Sequence, residues 1–350
     1  IRNSRDGYFY NGQLRDMASG NIVKILKKFA HEMGCEILLE PKFGRVGQIY
    51  FSKDKIYYFK NTTLDINSMA ASEIARDKDY TKYFLSNAGH LVPRGKAFFS
   101  DYWCEVNKTK NNLAEAIKYA KRLKFPVIVK PNSRSQGEDV YKVFDSKRLE
   151  KILRQLFEKN DIVLIEEYVK GKDYRIIVLG GEVKIAYERK PLSVVGDRKK
   201  TIEELFDKKI NLLKKSREID ILFSDKRIGE RLKNHYKVSK KFVPTIGQEI
   251  ILLDNANLSS GGEGIDTTEI IHEDYKKIAI DIAKSMNLTL AGVDLLISGD
   301  ITKPLNNKRD TPTCLEVNSS PGLNHYQTLN STAQKRVENL YKEILLKLRG

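Results

Sequence analysis

Cys314-Leu315-Glu316-Val317-Asn318-Ser319-Ser320-Pro321-Gly322 reads as a strand that ends in a tight polar turn. Side chains at i and i+2 of a strand share a face, so Glu316 and Asn318 point together while Val317 packs behind them. Upstream, Gly292-Val293-Asp294-Leu295-Leu296 is an apolar strand with one carboxylate, and Asp294 can complete the cluster. Two carboxylates and a neutral amide suit Mg2+, which takes a few hard oxygen ligands and fills its other positions with water and nucleotide phosphate. A buried strand closed by a Ser-Pro-Gly turn accounts for the same residues, so the rest of the chain has to decide.

A chain of 350 residues can bury a large core, and at roughly 100–200 residues per domain it should hold two or three lobes. No apolar run approaches the roughly 18 residues needed to span a bilayer, so no membrane partner is expected. The chain starts Ile1-Arg2-Asn3, without an initiator Met or an apolar signal core, and reads as a trimmed piece with no visible targeting segment. Cys35, Cys104 and Cys314 are odd in number and form no C-x-x-C pair, which argues against a disulfide framework or zinc site and points to a reducing cytoplasm. The net charge of +16 attracts anions such as nucleic acid, ATP and acidic peptides. Lys, Ile and Asn are abundant throughout, however, and the basic residues do not gather in one tract with aromatics, so no nucleic-acid partner is expected.

Residues 1–72 read as a small α/β domain: a helix with Ile22, Leu26, Phe29 and Met33 on one face, then strands near 36–39, 48–52 and 55–60. Residues 73–168 read as a second lobe. It opens with a helix carrying Asp77-Lys78-Asp79, then a helix with Leu113, Ile117, Ala120 and Leu123 in register. A β-loop-β-α-β order follows, through the strand at 125–130, a strand at 139–144, a helix burying Leu149, Ile152, Leu153 and Leu156, and the strand at 162–165. Residues 169–350 read as the last lobe, with an antiparallel hairpin turning at Gly180-Gly181, where glycine supplies positive φ. Within it, 196–262 is a substrate-facing insertion, and Thr201-Ile202-Glu203-Glu204 has capping-box spacing at the head of a charged helical region reaching about 235. Helices marked by Tyr275, Ile278, Ala279 and Ile282, and by Val337, Leu340, Tyr341, Ile344 and Leu348, complete an α+β fold.

Lys130 stands at a strand end before the small polar loop Asn132-Ser133-Arg134-Ser135-Gln136-Gly137. Such a loop can fold over phosphates with its backbone N–H groups while the lysine neutralises charge; a β-turn with an exposed lysine is the plainer account. No G-x-x-x-x-G-K-[ST] sequence occurs. Ile165-Glu166-Glu167-Tyr168-Val169 leaves an apolar strand where two lobes would join, a hinge suited to an adenine edge, with Asp173 suited to ribose hydroxyls. Arg175 and Arg189 alternate onto hairpin positions that could face the same cleft, where guanidinium groups bind carboxylate or phosphate bidentately. Charged connectors and surface ion pairs are the alternatives for these residues.

Several further motifs occur in one order: A-R-D-K-D-Y-T-K at 75–82, P-V-I-V-K-P from Pro126, I-E-E-Y-V-K-G-K-D-Y-R-I from Ile165, V-G-D-R-K-K-T-I-E-E-L from Val195, A-N-L-S-S-G-G from Ala256, A-G-V-D from Ala291 and L-E-V-N-S-S-P-G-L from Leu315. Over residues 70–330 the chain resembles the ATP-grasp superfamily, and most closely the ATP-grasp modules of the cyanophycin synthetase and bifunctional glutathione synthetase families. The resemblance implies two α/β lobes clasping ATP. It also implies that Lys78 and Lys130 contact phosphates, that Ser133, Ser135 and Gly137 belong to the phosphate lid, that Glu166, Glu167, Tyr168 and Val169 form the adenine hinge, and that Asp173 meets ribose. Asp294, Glu316 and Asn318 would hold one or two Mg2+ ions. Arg175, Arg189, Asn257, Ser259, Gly261 and Gly262 would face the acyl substrate and its phosphorylated intermediate, with Gly322 close to the reacting carbonyl.

The activity so implied is ATP-dependent ligation of a carboxylate to an amine through an acyl phosphate, on amino acids or short peptides. Family members are often dimers or tetramers, so a homo-oligomer is an open alternative. The arginine-adding half of cyanophycin synthetase and the glutamate–cysteine ligase half of the glutathione enzyme do not fit within 350 residues, the region before Lys78 is short, and the phosphate loop is less glycine-rich than in many relatives. A free-standing ligase is therefore the expectation. A phosphotransferase that stops at a stable phosphorylated product, and a non-catalytic anion or nucleic-acid binder, are the alternatives.

Overall fold

Helix-period burial near the start of the chain is realised in α1 (Asp16–Met33), where Ile22, Leu26 and Met33 are buried and Phe29 is half-buried. The computed structural model describes residues 16–133, 139–305 and 311–350. After α1, β1 (Glu36–Leu39), β2 (Val46–Ser52), β3 (Lys55–Lys60) and β4 (Thr63–Leu64) form an antiparallel meander in sequence order. Short turns make neighbours of consecutive strands, and Ile49 and Phe59 fill the buried face. The C-terminal helix Ser331–Arg349 groups with these elements: residues up to Asn67 and Ser320–Gly350 make one compact unit and Ser68–Ser319 another. The helix buries Val337, Leu340, Tyr341 and Ile344, and Glu338 pairs with Lys28 of α1 at 2.6 Å. The compact units thus differ from the expected division at 72/73 and 168/169.

The second unit begins with α2 (Met69–Arg76) and α3 (Lys78–Asn87). Asp77 breaks the expected continuous helix: its backbone is extended, and its carboxylate accepts the N–H of Tyr80 to cap α3. Next come β5 (Gly95–Phe99), α4 (Asp101–Val106), α5 (Leu113–Leu123), β6 (Val127–Pro131), β7 (Tyr141–Val143), α6 (Ser146–Phe157) and β8 (Ile162–Glu167). The four strands form an antiparallel sheet of order β5-β8-β6-β7. Ala116 and Ala120 of α5 and Leu149, Ile152, Leu153 and Leu156 of α6 pack on Val127, Val129, Val163 and Ile165. Residues three and four apart on one helix face meet the alternate residues of a strand, so both sequence periods converge on one core.

The second sheet of this unit is built from β9 (Lys172–Leu179) and β10 (Glu182–Lys190), then, after the short β11 (Ser193–Val195), α7 (Ile202–Leu213), α8 (Lys226–Arg231) and β12 (Glu249–Ile251), from β13 (Glu263–Asp266), α9 (Glu273–Ser285), β14 (Leu290–Ile297) and β15 (Thr313–Asn318). Its order is β13-β10-β9-β14-β15, antiparallel throughout. The hairpin turns at Gly180 and Gly181, with φ of 59° and 84°, as the two-residue loop requires. The insertion has its own core, in which Ile202, Leu205, Phe206 and Ile210 of α7 pack on Leu192, Val194, Ile250 and Leu252. Its capping box at Thr201 and Glu204 is complete, but the helical region breaks after Leu213 and resumes at Lys226.

Candidate active site

The strand carrying Asp294 is nearly wholly buried, since β14 lies between β9 and β15. A carboxylate at 1% exposure must be paired, and the sheet register supplies the partners. Arg175 lies opposite Asp294 on one side and Glu316 opposite it on the other. Arg175 grips Asp294 with Nε to Oδ1 at 2.7 Å and Nη2 to Oδ2 at 2.6 Å. Arg189, from β10, donates Nη2 to Oδ2 of Asp294 at 2.8 Å and to Oδ1 of Asp173 at 2.7 Å. Burial leaves the Asp294 carboxyl above its ordinary value, and the three guanidinium N–H donors on its two oxygens draw it back only in part.

Glu316 is the more open carboxylate, with 31% of its side chain exposed. Burial would raise it, but Lys78 at 3.8 Å and Arg175 at 3.5 Å outweigh that and bring it down to about 2. Asn318 shares its face as the strand period requires, donating Nδ2 to Oε1 at 3.2 Å. Among the described residues no three His, Cys, Asp or Glu side chains converge to hold a metal ion. The donor set does fit a hard divalent cation through the Glu316 carboxylate and the Asn318 amide oxygen. Asp294 differs from the expectation, because Arg175 engages both its oxygens and Arg189 adds a second donor to Oδ2.

A second charged group joins α3 to the other sheet. Glu166, at 2% exposure, receives Lys130 Nζ at 2.7 Å and Lys82 Nζ at 2.9 Å. Lys130 reaches it diagonally, because Ile128, two residues earlier on β6, is the strand partner of Glu166. Asn132 then anchors α3, accepting the N–H of Asp79 at 3.1 Å and donating to Asp77 at 2.6 Å, and Lys78 Nζ approaches the Asn132 carbonyl at 3.5 Å. One helix thus offers Lys78 to Glu316 and Lys82 to Glu166. Two ammonium groups of one helix are thus set on carboxylates of two different sheets, Glu316 of β15 and Glu166 of β8.

A family profile described as the D-ala D-ala ligase C-terminus matches residues 98–207, and one described as the RimK-like ATP-grasp domain matches residues 254–339. The cyanophycin synthetase of Crocosphaera subtropica is 31% identical over 284 residues, covering 75% of this chain and 29% of the relative. The glutathione biosynthesis bifunctional protein GshAB of Clostridium perfringens is 31% identical over 253 residues, covering 70% of this chain and 31% of the relative. A crystal structure of a bifunctional glutathione synthetase from Pasteurella multocida aligns with a TM-score of 0.56 and 25% identity over 92% of this chain and 43% of that one. The chain belongs to the ATP-grasp family. It spans less than a third of the length of the two sequence relatives named.

In this ATP-grasp chain the expected hinge divides. The side chain of Glu166 turns inward to the two lysines, Glu167 pairs with Arg94 at 2.7 Å, and the strand ends there. Tyr168 follows, with Lys142 Nζ 3.5 Å from its ring centroid. Asp173, expected at ribose, is held by Arg189. Ser133 is exposed just beyond Asn132, whereas Ser135 and Gly137 lie outside the described residues. Asn257, Ser259, Gly261 and Gly262 form a turn in which the Asn257 carbonyl accepts the N–H groups of Ser260 and Gly262. Gly261 has φ 84°, and a Cβ on Gly262 would lie 2.6 Å from the Lys190 carbonyl oxygen, so only glycine fits at either position. Gly322 belongs to the other compact unit.

Lys82 and Tyr187 were given no role by the sequence, and Asn132 entered only as part of the polar loop after Lys130. For Lys82 a signal existed: it follows Lys78 by four residues and therefore lies on the same helix face. Tyr187 sits opposite Arg175 on β10, a position visible only once the strands are paired. Among the described residues no helix is long and apolar enough to cross a membrane.

Proposed function

We propose that this ATP-grasp chain is an ATP-dependent carboxylate–amine ligase that makes an amide or peptide bond on an amino acid or short peptide through an acyl phosphate. The observation that carries this reading is the cross-strand row of Arg175, Asp294 and Glu316, with Lys78 beside its open end. Sequence similarity to a cyanophycin synthetase and to glutathione-forming enzymes supports it.

Hydroxide is too poor a leaving group for an amine to displace from a carboxylate. Transfer of the γ-phosphoryl group of ATP to a carboxylate oxygen releases ADP and gives a mixed anhydride. The amine then attacks the carbonyl carbon, loses a proton and expels inorganic phosphate. Lys78 and Lys130 offset charge on the phosphoryl oxygens, which is positioning and electrostatics more than covalent chemistry. Arg175, locked by Asp294, supplies a fixed positive charge where an oxyanion forms, and it needs no reorganisation to do so. Glu316 and Asn318 would hold Mg2+, whose role when bound is to polarise the phosphoryl oxygens.

The test is a pairwise panel of amino acids and short peptides with ATP and Mg2+, scoring ADP, free phosphate and product mass. ADP and phosphate should appear in equal amounts only when carboxylate and amine are both present. Glu316→Gln and Lys130→Ala should each cost more than the roughly 10–100-fold lost when a residue merely supporting a metal ligand is removed. ADP without matching phosphate would make the protein a phosphotransferase. Turnover indifferent to both substitutions would overturn the site assignment.

A further inference from the structure

Lys82 and Lys130 hold the same buried carboxylate but are placed differently in the fold. Lys82 Nζ lies 2.9 Å from Oε1 of Glu166, and Lys130 Nζ lies 2.7 Å from Oε2. Lys82 belongs to α3, which is pinned at three points. Asp77 caps the helix, the Thr81 hydroxyl donates to the Ile74 carbonyl at 2.8 Å, and Asn132 accepts the Asp79 N–H at 3.1 Å. Lys82 Nζ and Glu166 Oε1 are both closed to solvent and without a hydrogen-bond partner among the described residues, so their contact is one of charge. Gly95, the strand partner of Glu166 on β5, makes the room for it. A Cβ there would lie 3.0 Å from Lys82 Nζ and 2.7 Å from Cγ of Glu166.

Lys130 stands one residue before the end of β6. Two residues beyond it, the carbonyl of Asn132 lies 3.5 Å from Lys78 Nζ, the ammonium that also faces Glu316. Lys130 therefore sits toward the Lys78 side of the group, and Lys82 on the side closed by Gly95. An ammonium drawn onto a phosphate gives up part of its contact with Glu166. Two ammonium groups and one carboxylate leave a net positive charge, so one lysine can turn to an anion while the other still neutralises the acid. With Lys82 absent, the same turn would strand a carboxylate that is 2% exposed without a counter-charge, which is strongly unfavourable.

We propose that Lys82 is a positioning residue for the nucleotide: it stays on Glu166 as a permanent counter-ion and so frees Lys130 for the phosphates of ATP. Lys82 touches no phosphate itself and acts through Glu166 and Lys130. The proposal rests on the ligase reading above through one assignment, that of Lys130 as a phosphate lysine.

The experiment measures the affinities of the full chain for ADP with Mg2+ and for adenosine, by competition against a fluorescent ADP analogue, with folding checked by circular dichroism. The ratio of the two affinities isolates the phosphate contribution, because a general loss of structure weakens both ligands together. Lys82→Met should lower that ratio about tenfold or more, the scale of a hydrogen bond to a charged group. In Lys82→Met/Glu166→Gln no carboxylate holds Lys130 back, and the ratio should return to within about threefold of wild type, a non-additivity expected only of residues that act through one another. Should Lys82→Met not fold, the double variant decides by the same limit. A ratio unchanged in Lys82→Met, or still depressed in the double variant as for a direct phosphate contact, would overturn the proposal. Lys130→Met separates the two readings. If it leaves the ratio unchanged, the assignment of Lys130 to phosphate fails and the proposal with it; if it lowers the ratio while Lys82→Met does not, the role of Lys82 alone fails.

Discussion

Replacing Glu166 by Gln tests the buried charge group that joins α3 to the β5-β8-β6-β7 sheet. The carboxylate is 2% exposed, and its lysine partners Lys82 and Lys130 have side chains 8% and 10% exposed. The substitution keeps the shape and removes the one negative charge between two buried cations. Breaking a buried pair in this way costs about 3–5 kcal/mol, because the remaining charges are left desolvated without compensation. At about 2–4 °C per kcal/mol for a unit of this size, the melting temperature at pH 7 should fall by about 6–20 °C. Calorimetry and urea unfolding followed by circular dichroism would measure it.

The pH dependence fixes the cause. Burial acts to raise Glu166, but Lys130 and Lys82 outweigh it and hold the folded-state carboxyl below its ordinary value. A depressed acid contributes stability that is fully present above its unfolded pKa of about 4.3 and is lost as the pH falls through the lower folded value. The gap between wild type and Glu166→Gln should thus be constant from neutral pH to about 5 and narrow below about 4. A shift under about 2 °C at pH 7, or a gap that widens in acid, would refute the electrostatic account.

Other substitutions probe the turn and the insertion. Gly262→Ala places a Cβ 2.6 Å and 2.8 Å from the carbonyl oxygens of Lys190 and Asn257, which are backbone atoms that cannot swing aside. It should cost about 1–3 kcal/mol and raise the KM for the carboxylate substrate while leaving the affinity for ADP unaltered, as steady-state kinetics and nucleotide titration would show. Thr201→Ala removes one half of the capping box of α7 and should lower stability by about 1 kcal/mol in a denaturant titration, with nucleotide affinity unchanged.

Much of the fold was legible because local periods report local faces. The alternation that put Glu316 and Asn318 together needs only a strand, and the Gly180-Gly181 turn and Thr201 cap need only a few consecutive residues. The break at Asp77 was missed because the same Asp reads as helical surface until its carboxylate is seen to accept the Tyr80 N–H. The C-terminal helix showed its apolar face in the sequence, but the grouping of that helix with α1 and the first sheet is a long-range choice.

For the site, the sequence by itself determined the residue types, their strand faces and their order along the chain, since these follow from backbone geometry over a few residues. Only the tertiary structure decided who pairs with whom. The register shift between Asp294 and Leu295, which leaves Leu315 as the extra residue on β15, sets Glu316 opposite Asp294. The strand order puts Arg175 on the other side of Asp294, and the position of α3 brings Lys82 to Glu166. Buried charges must find partners wherever the packed chain offers them, and those partners stand 119 residues away for Arg175 with Asp294, a separation over which no local pattern carries information.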